Sequence, residues 1–269
     1  MARTVVVGVD GSVRSQVALD WAVQEARLRD VPLYVVHVAP HCDQPLSARL
    51  DAQLTAPDPA AHAKSALLVG AALPVLLALG RSAEMLVLGV RGAGGHAGLA
   101  VGSVAHGVAS ASVCPVALVP AARFGCVPER RPDRVTLGID ARDPADRAID
   151  FALAETRLRG ARLHALHAWS YPATATASPL PIPVSEHERA TWEDQEVQLL
   201  SDALRPWREK YAQVHVLEDV VRHSPADALL RASARAELLA VGRRRDDGLG
   251  PAVDRLVQHG QCPVVVVPS

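Results

Sequence analysis

The sequence predicts an α/β protein made of two tandem copies of one unit, each an open, parallel, five-stranded sheet with flanking helices. Short β-branched runs alternate with stretches of helical periodicity along the chain, a pattern typical of βαβ units on a parallel sheet. Such repetition of a whole unit indicates an internal duplication. Five landmarks of the first half return in order in the second: residues 4–10 as 134–140, 25–29 as 155–159, 33–38 as 163–168, 83–89 as 236–242, and 113–116 as 261–264.

The chain of 269 residues is long enough for two domains of ordinary size. We expect a first domain over residues 1–122, a linker over 123–132, where prolines and charges cluster, and a second domain over 133–269. The offset between matching landmarks rises from 130 to 153 residues and then falls to 148. The second copy therefore has 23 extra residues in its middle and loses 5 within a later glycine-containing loop.

In the first copy, the apolar runs predict strands near residues 4–9, 33–38, 66–69, 85–88 and 116–119, and the periodic stretches predict helices near 13–29, 71–80 and 103–112. The region 41–64 is interrupted by Pro45, Pro57 and Pro59, and proline breaks helices. We therefore expect the first copy to lack most of its second helix.

In the second copy, the same reasoning predicts strands near residues 134–139, 162–168, 214–221, 237–241 and 264–267, and helices near 144–159, 186–210, 225–235 and 251–259. The long helix 186–210 accounts for the 23 extra residues. Asp143 and Ser224 each precede a proline, so we expect each side chain to cap a helix whose first residue is that proline.

Composition excludes several classes of protein. The net charge of −1 argues against a surface that binds nucleic acid or coats a membrane. No apolar stretch reaches the ~18 residues of a membrane span, and the apolar run at the N-terminus is too short for a signal peptide. The four cysteines form no Cys-x-x-Cys pair. We therefore expect a cytoplasmic protein with reduced thiols and no metal framework. Cys114 and Cys262 are expected to be small buried hydrophobic residues.

A glycine pattern in the first copy points to a phosphate site. Gly89-Val90-Arg91-Gly92 is followed, after nine intervening residues, by Gly102-Ser103-Val104. The pattern lies between a predicted strand and a predicted helix. Small residues let backbone N–H groups approach an anion, and the N-terminus of a helix favours negative charge. Ser103 is expected to cap the helix and to donate its hydroxyl to a phosphate, and Arg91 adds positive charge. A plain flexible connection is the alternative.

Asp10 stands at the carboxyl end of the first strand, where open α/β sheets bind ligands. Its carboxylate suits a ribose hydroxyl or an adenine amine, and the alternative is a simple helix cap. His37 and His167, inside apolar strands, are interpreted as core or crevice histidines. The segment 92–97 fits a Gly-x-Gly-x-x-Ala pattern only weakly, because it follows a fourth strand, and no Walker A motif is present.

These motifs together resemble the ATP-binding branch of the universal stress protein family in its tandem-domain form, over essentially the whole chain. The resemblance implies an adenine nucleotide alpha hydrolase-like fold with strand order 3-2-1-4-5, and fifth strands that pair within the chain to form a pseudo-dimer. Homodimerisation is left open. It also implies a site for ATP, with Mg²⁺ as its accompanying ion, at Val9, Asp10, Gly11, Val38, Gly89, Arg91, Gly92, Gly102, Ser103 and Val104.

The second copy departs from this pattern. Arg245 stands in the place of Gly92, and Pro251, which has no N–H, stands in the place of Ser103. We therefore expect the second copy to bind no ATP in this way and to act as a structural partner. Residues 243–245 are interpreted as a solvated surface, with attraction of another anion as the alternative.

Three functions remain open at this point. The first is a regulatory protein with one adenine nucleotide in the first copy and no catalytic residues, since no nucleophile with its base is visible. The second is an enzyme, either a weak ATPase or a nucleotidyl or phosphoryl transferase. The third is an interaction scaffold whose glycine loop is vestigial.

Overall fold

The computed structural model describes residues 4–41, 46–55, 62–90, 101–121, 133–171, 185–244 and 248–269. The strands are β1 (Val5–Gly8), β2 (Leu33–Ala39), β3 (Lys64–Val69), β4 (Met85–Gly89), β5 (Val116–Val119), β6 (Arg134–Gly138), β7 (Arg162–Ala168), β8 (Val216–Val221), β9 (Leu238–Arg243) and β10 (Val264–Pro268). The helices are α1 (Val13–Arg29), α2 (Ala48–Thr55), α3 (Ala72–Gly80), α4 (Ser103–Ala111), α5 (Asp146–Arg159), α6 (Glu186–Lys210), α7 (Pro225–Ser233) and α8 (Pro251–His259).

The strands form one sheet of ten, in the order β3-β2-β1-β4-β5-β10-β9-β6-β7-β8. Within each half the order is 3-2-1-4-5 and the neighbours are parallel, as the resemblance implies. The two sheets are nevertheless not separate. β5 and β10 pair antiparallel, with Val264 opposite Leu118 and Val266 opposite Val116, and so join the halves.

The apolar core forms two layers, one on each face of the sheet, and both layers contain residues from both halves. One layer packs beneath α1 and α5, with Trp21 and Ile149 among its buried side chains. The other packs beneath α4 and α8, with Val108 and Leu256 buried. Cys114 and Cys262 are free and buried within this second layer, as expected. The halves therefore share their cores as well as a sheet.

Helix α2 agrees with the expectation that the first copy lacks most of its second helix. It has eight residues, against 25 in α6, and it fits between the prolines that the sequence places on either side. Leu50 and Leu54, four residues apart, are both buried. Burial of one apolar face can stabilise so short a helix, which its own propensity would not.

The two predicted helix caps have different outcomes, one being confirmed and the other wrong. Ser224 caps α7 by accepting a hydrogen bond from the Asp227 N–H, with Pro225 as the first helical residue, as predicted. Asp143 does not cap α5, because that helix begins three residues later and no side chain caps it. The Asp143 carboxylate instead binds the Arg244 guanidinium at 2.6 Å.

A group of buried charges joins the two halves beneath the sheet. Arg29 of α1 contacts Glu155 of α5, and Arg159 of α5 lies 2.5 Å from Glu25 of α1. Each arginine also binds the glutamate four residues before it on its own helix. These four residues are called the inter-half cluster below. All four side chains are at most 10% exposed.

The predicted linker, residues 123–132, lies outside the described residues. No helix in the part of the chain that the structure describes is long and apolar enough to cross a membrane.

Candidate functional site

The carboxyl ends of β1, β2 and β4 lie side by side, because these strands are parallel neighbours. Asp10 follows β1, Val38 is near the end of β2, and Gly89 ends β4. Ligands of open α/β sheets bind in the crevice at such an edge. The fold thus brings three of the residues that the resemblance implies to one margin of the first half.

The turn after β1 is held by its own polar groups. The Ser12 N–H donates to Asp10 Oδ1 at 3.0 Å, and Ser12 in turn caps α1 by accepting from the Ser15 N–H. The alternative in which Asp10 caps α1 is therefore wrong. Val9 is buried, and its carbonyl lies 2.7 Å from Nδ1 of His37, which agrees with a crevice histidine.

Gly11 ties this turn to α2. Its φ of +77° is a conformation that side chains disfavour, and an added Cβ would lie 2.9 Å from the Ser47 hydroxyl. The Gly11 N–H donates to Oε1 of Gln53, which also accepts from the Ser15 hydroxyl. Gln53 is buried, and the sequence pattern did not predict its role in holding this turn. The signal that could have found it is the single apolar face of α2.

The start of α4 lies against the end of β4. The Gly102 N–H donates to the Val90 carbonyl at 2.9 Å, one residue past the strand. A Cβ on Gly89 would lie 3.1 Å from the Arg14 carbonyl oxygen, so the start of α1 also approaches closely. The helix termini and the strand ends therefore surround one crevice.

Gly102, and not Ser103, is the N-cap of α4, so the predicted capping role of Ser103 is wrong. Ser103 is instead the first helical residue and is exposed. The N–H groups of Ser103 and Val104 precede the first intrahelical hydrogen bond, which His106 makes. Such N–H groups suit an anion. Arg91 and Gly92 lie outside the described residues.

The second half has a cavity of about 900 Å³ at the equivalent margin, called the second-half cavity below. It lies between the carboxyl ends of β6, β7 and β9 and the starts of α5, α7 and α8. Its apolar lining includes Ile139, Leu166, Trp169, Leu229 and Val241. A cavity of this size is within the range of small-molecule sites.

The arginines along this cavity are held by protein groups. Arg244 binds Asp143 and lies 3.6 Å from Asp140. Arg142 binds Glu196 of α6. The Glu196 carboxylate also lies 3.0 Å from Nε2 of the buried His167, as expected of a satisfied core histidine.

Arg243 corrects the prediction of a solvated arginine surface. It is only 8% exposed, and its Nη2 donates to the Ser112 carbonyl of the first half at 2.6 Å. Burial lowers the pKa of its guanidinium below the usual value. The Arg243 carbonyl accepts from the Ser269 N–H, whereas its counterpart Val90 accepts from Gly102. Arg245 lies outside the described residues.

Within the described ranges, no three histidine, cysteine or acidic side chains are grouped so that they could hold a metal ion.

Known proteins match the whole chain. The sequence profile of the universal stress protein family matches residues 1–74, 70–120 and 132–268. Universal stress protein Rv2623 of Mycobacterium tuberculosis (strain H37Rv) is 30% identical over 295 residues, which covers 97% of this chain and 95% of that protein. The crystal structure of a universal stress protein from Archaeoglobus fulgidus shares the fold, with 19% identity, a TM-score of 0.68, and coverage of 98% and 96% of the two chains. A universal stress protein solved in complex with cAMP is 30% identical over 45% of this chain and 98% of its own, with a TM-score of 0.36.

Proposed function

Because the chain belongs to the universal stress protein family, we propose that it is a regulatory protein that binds one molecule of ATP, in its first half. One observation supports this most strongly. The crevice between Asp10 and Gly89 faces the start of α4, whose first residues are the Gly102-Ser103-Val104 part of the glycine pattern. An acidic group and a helix N-terminus thus border the same crevice.

Different residues of this crevice contact different parts of the ligand. The adenine and ribose lie near Val9, Asp10, Gly11 and Val38, where a carboxylate and apolar groups meet. The phosphates lie at the α4 N-terminus, where N–H groups and the Ser103 hydroxyl can donate to oxygen. Mg²⁺ accompanies the phosphates. Gly89 is required because a side chain there would meet the backbone of α1.

The second half does not bind ATP in this way. Pro251 begins α8 and offers no N–H, and Arg244 is already bound by a carboxylate. We assign to this half the completion of the sheet, in the manner of a pseudo-dimer. Because Cys114 and Cys262 are free thiols, we place the protein in the cytoplasm.

Calorimetric titration of the full chain with ATP and Mg²⁺ tests the proposal. We expect one ATP per chain. Ser103→Ala should weaken ATP binding about tenfold, by loss of a charge-assisted hydrogen bond, and Gly102→Val should abolish it. Gly250→Val, at the equivalent position of α8, is the matched control and should leave ATP binding unchanged.

Two results would overturn the proposal. One is an absence of ATP binding, which would favour the scaffold. The other is an equal loss of ATP binding in Gly250→Val and Gly102→Val, which would place the ATP elsewhere.

A further inference from the structure

The second-half cavity has the location of a nucleotide site but a different chemistry. It lies at the carboxyl ends of β6, β7 and β9, the counterparts of β1, β2 and β4. Its volume of about 900 Å³ leaves ample room for a ligand of nucleoside size.

The described part of the position equivalent to the phosphate loop is occupied by charges of the protein itself. The Arg244 guanidinium lies 2.6 Å from Asp143 and 3.6 Å from Asp140. A phosphate that approached Arg244 would have to displace these carboxylates or lie beside them, and like charges at contact distance repel. Pro251 removes one of the N–H groups that a helix start would otherwise offer.

The other arginines of the described lining are also committed. Arg142 binds Glu196, which is 2% exposed. Arg243 is buried and donates across the sheet to the Ser112 carbonyl of the first half. An anionic ligand would therefore enter a cavity whose described cations already have partners and whose mouth carries Asp140 and Asp143.

The remaining surface suits an uncharged ring. Ile139, Leu166, Leu229 and Val241 supply apolar walls. Trp169 adds an aromatic face that is fixed by edge-to-face contact with Tyr171, with ring centroids 5.5 Å apart. Asp140, at the end of β6, supplies a carboxylate that can accept hydrogen bonds from hydroxyl groups.

We propose that the second-half cavity binds a phosphate-free, nucleoside-like ligand, an uncharged heteroaromatic ring that carries hydroxyl groups. The ring packs against Trp169 and the apolar walls, and the hydroxyl groups donate to Asp140. Arg244 rejects phosphorylated forms, because its salt bridges keep two carboxylates where the phosphate would lie. This inference goes beyond the ATP site of the first half and does not depend on it.

The test uses the full chain and adenosine as the probe. With ATP present in excess to fill the first half, adenosine should still bind, one per chain, and should change the fluorescence of Trp169. AMP should bind there at least about tenfold more weakly. The change in fluorescence should disappear in Trp169→Phe, while the calorimetric signal for adenosine remains. Ala168→Phe, which fills the cavity, should abolish adenosine binding; Ala168→Leu, a smaller filling, should weaken it if the larger variant does not fold.

A second variant tests the origin of the selectivity. Asp143→Asn removes the shorter salt bridge of Arg244 and frees its guanidinium, so AMP should bind about tenfold more tightly than to the wild type while adenosine changes little. Asp202→Asn, which breaks an exposed aspartate–arginine pair on α6, is the matched control and should change neither affinity.

The inference is overturned if adenosine does not bind, if Ala168→Phe and Ala168→Leu both leave its binding intact, or if wild-type protein binds AMP in this cavity as tightly as adenosine. ATP binding in the first half is read separately in the same titrations, so either proposal can fail alone.

Discussion

Gly11 shapes the turn beside the first-half crevice. It combines a left-handed backbone with close packing, because the side chains of Ser47 and Leu50 lie where its Cβ would be. The sequence shows only a glycine after an aspartate, which is typical of many turns. The crowding comes from Ser47 and from Leu50 of α2, 36 or more residues away along the chain, and local sequence patterns carry no information about such contacts.

We predict that Gly11→Ala lowers the free energy of unfolding by about 2 kcal/mol or more, from backbone strain together with overpacking. Gly160→Ala is the matched control. Gly160 also has a positive φ, of +60°, but open space surrounds its Cβ position, so this variant should lose only about 1 kcal/mol. Urea denaturation of both variants measures the difference. Equal losses would mean that packing by α2 has no part in the effect.

At the scale of elements, the sequence is most informative where a helix carries its own signals. The long α6 was predicted at its observed bounds, and the structure shows a capping box between Ser185 and Glu188 at its start. Helix α2 has a weaker start signal, Ser47, whose hydroxyl accepts from the Leu50 N–H, and it also depends on burial of Leu50 and Leu54 against the fold. The predicted cap at Asp143 is wrong because α5 begins three residues after it, and the Asp143 carboxylate binds Arg244 instead.

We predict that Gln53→Ala detaches α2 from the turn after β1. The variant leaves the Gly11 N–H without its acceptor, while the Ser15 hydroxyl still donates to the Ser12 carbonyl, and the unpaired donor costs on the order of 1 kcal/mol. Amide hydrogen exchange should therefore accelerate across α2 and at Gly11. Gln198→Ala, which removes an exposed glutamine on α6, should leave exchange in α2 unchanged. Unaltered protection in Gln53→Ala would refute the tether.

At the scale of the whole molecule, the sequence predicted the duplication, because repeated landmarks are visible along the chain. The strand order and the pairing of the fifth strands were implied by the family resemblance, and the structure has both. The sequence did not predict that each core layer contains residues from both halves, because this depends on which side chains meet across β5 and β10. The second-half cavity was not predicted either, since its lining comes from strand ends and helix starts that are far apart along the chain.

The inter-half cluster predicts a dependence of stability on pH. Burial, together with the nearby Glu25 carboxylate, raises the pKa of Glu155 from an ordinary 4.5 to about 7. Between these values the folded protein holds a proton that the unfolded chain has released, so the free energy of unfolding decreases as pH rises through this window. We expect a decrease on the order of 2 kcal/mol, because a fully expressed shift of this size corresponds to about 3 kcal/mol.

Glu155→Gln should remove most of this decrease, because a neutral amide stands in for the protonated acid at every pH. Urea denaturation at several pH values between 5 and 8 measures it, with Glu193→Gln, an exposed acid on α6, as the control that should retain the wild-type slope. Parallel profiles for wild type and Glu155→Gln would rule out this cluster as the source.

The antiparallel pairing of β5 with β10 has a consequence for any partner of this protein. Because every other neighbouring pair is parallel, the strands of the two halves point in opposite directions, and their carboxyl ends lie at opposite margins of one sheet. The first-half crevice and the second-half cavity therefore open at opposite margins of the sheet. A partner that contacts one of these margins leaves the other accessible, so the geometry leaves room for two partners at once.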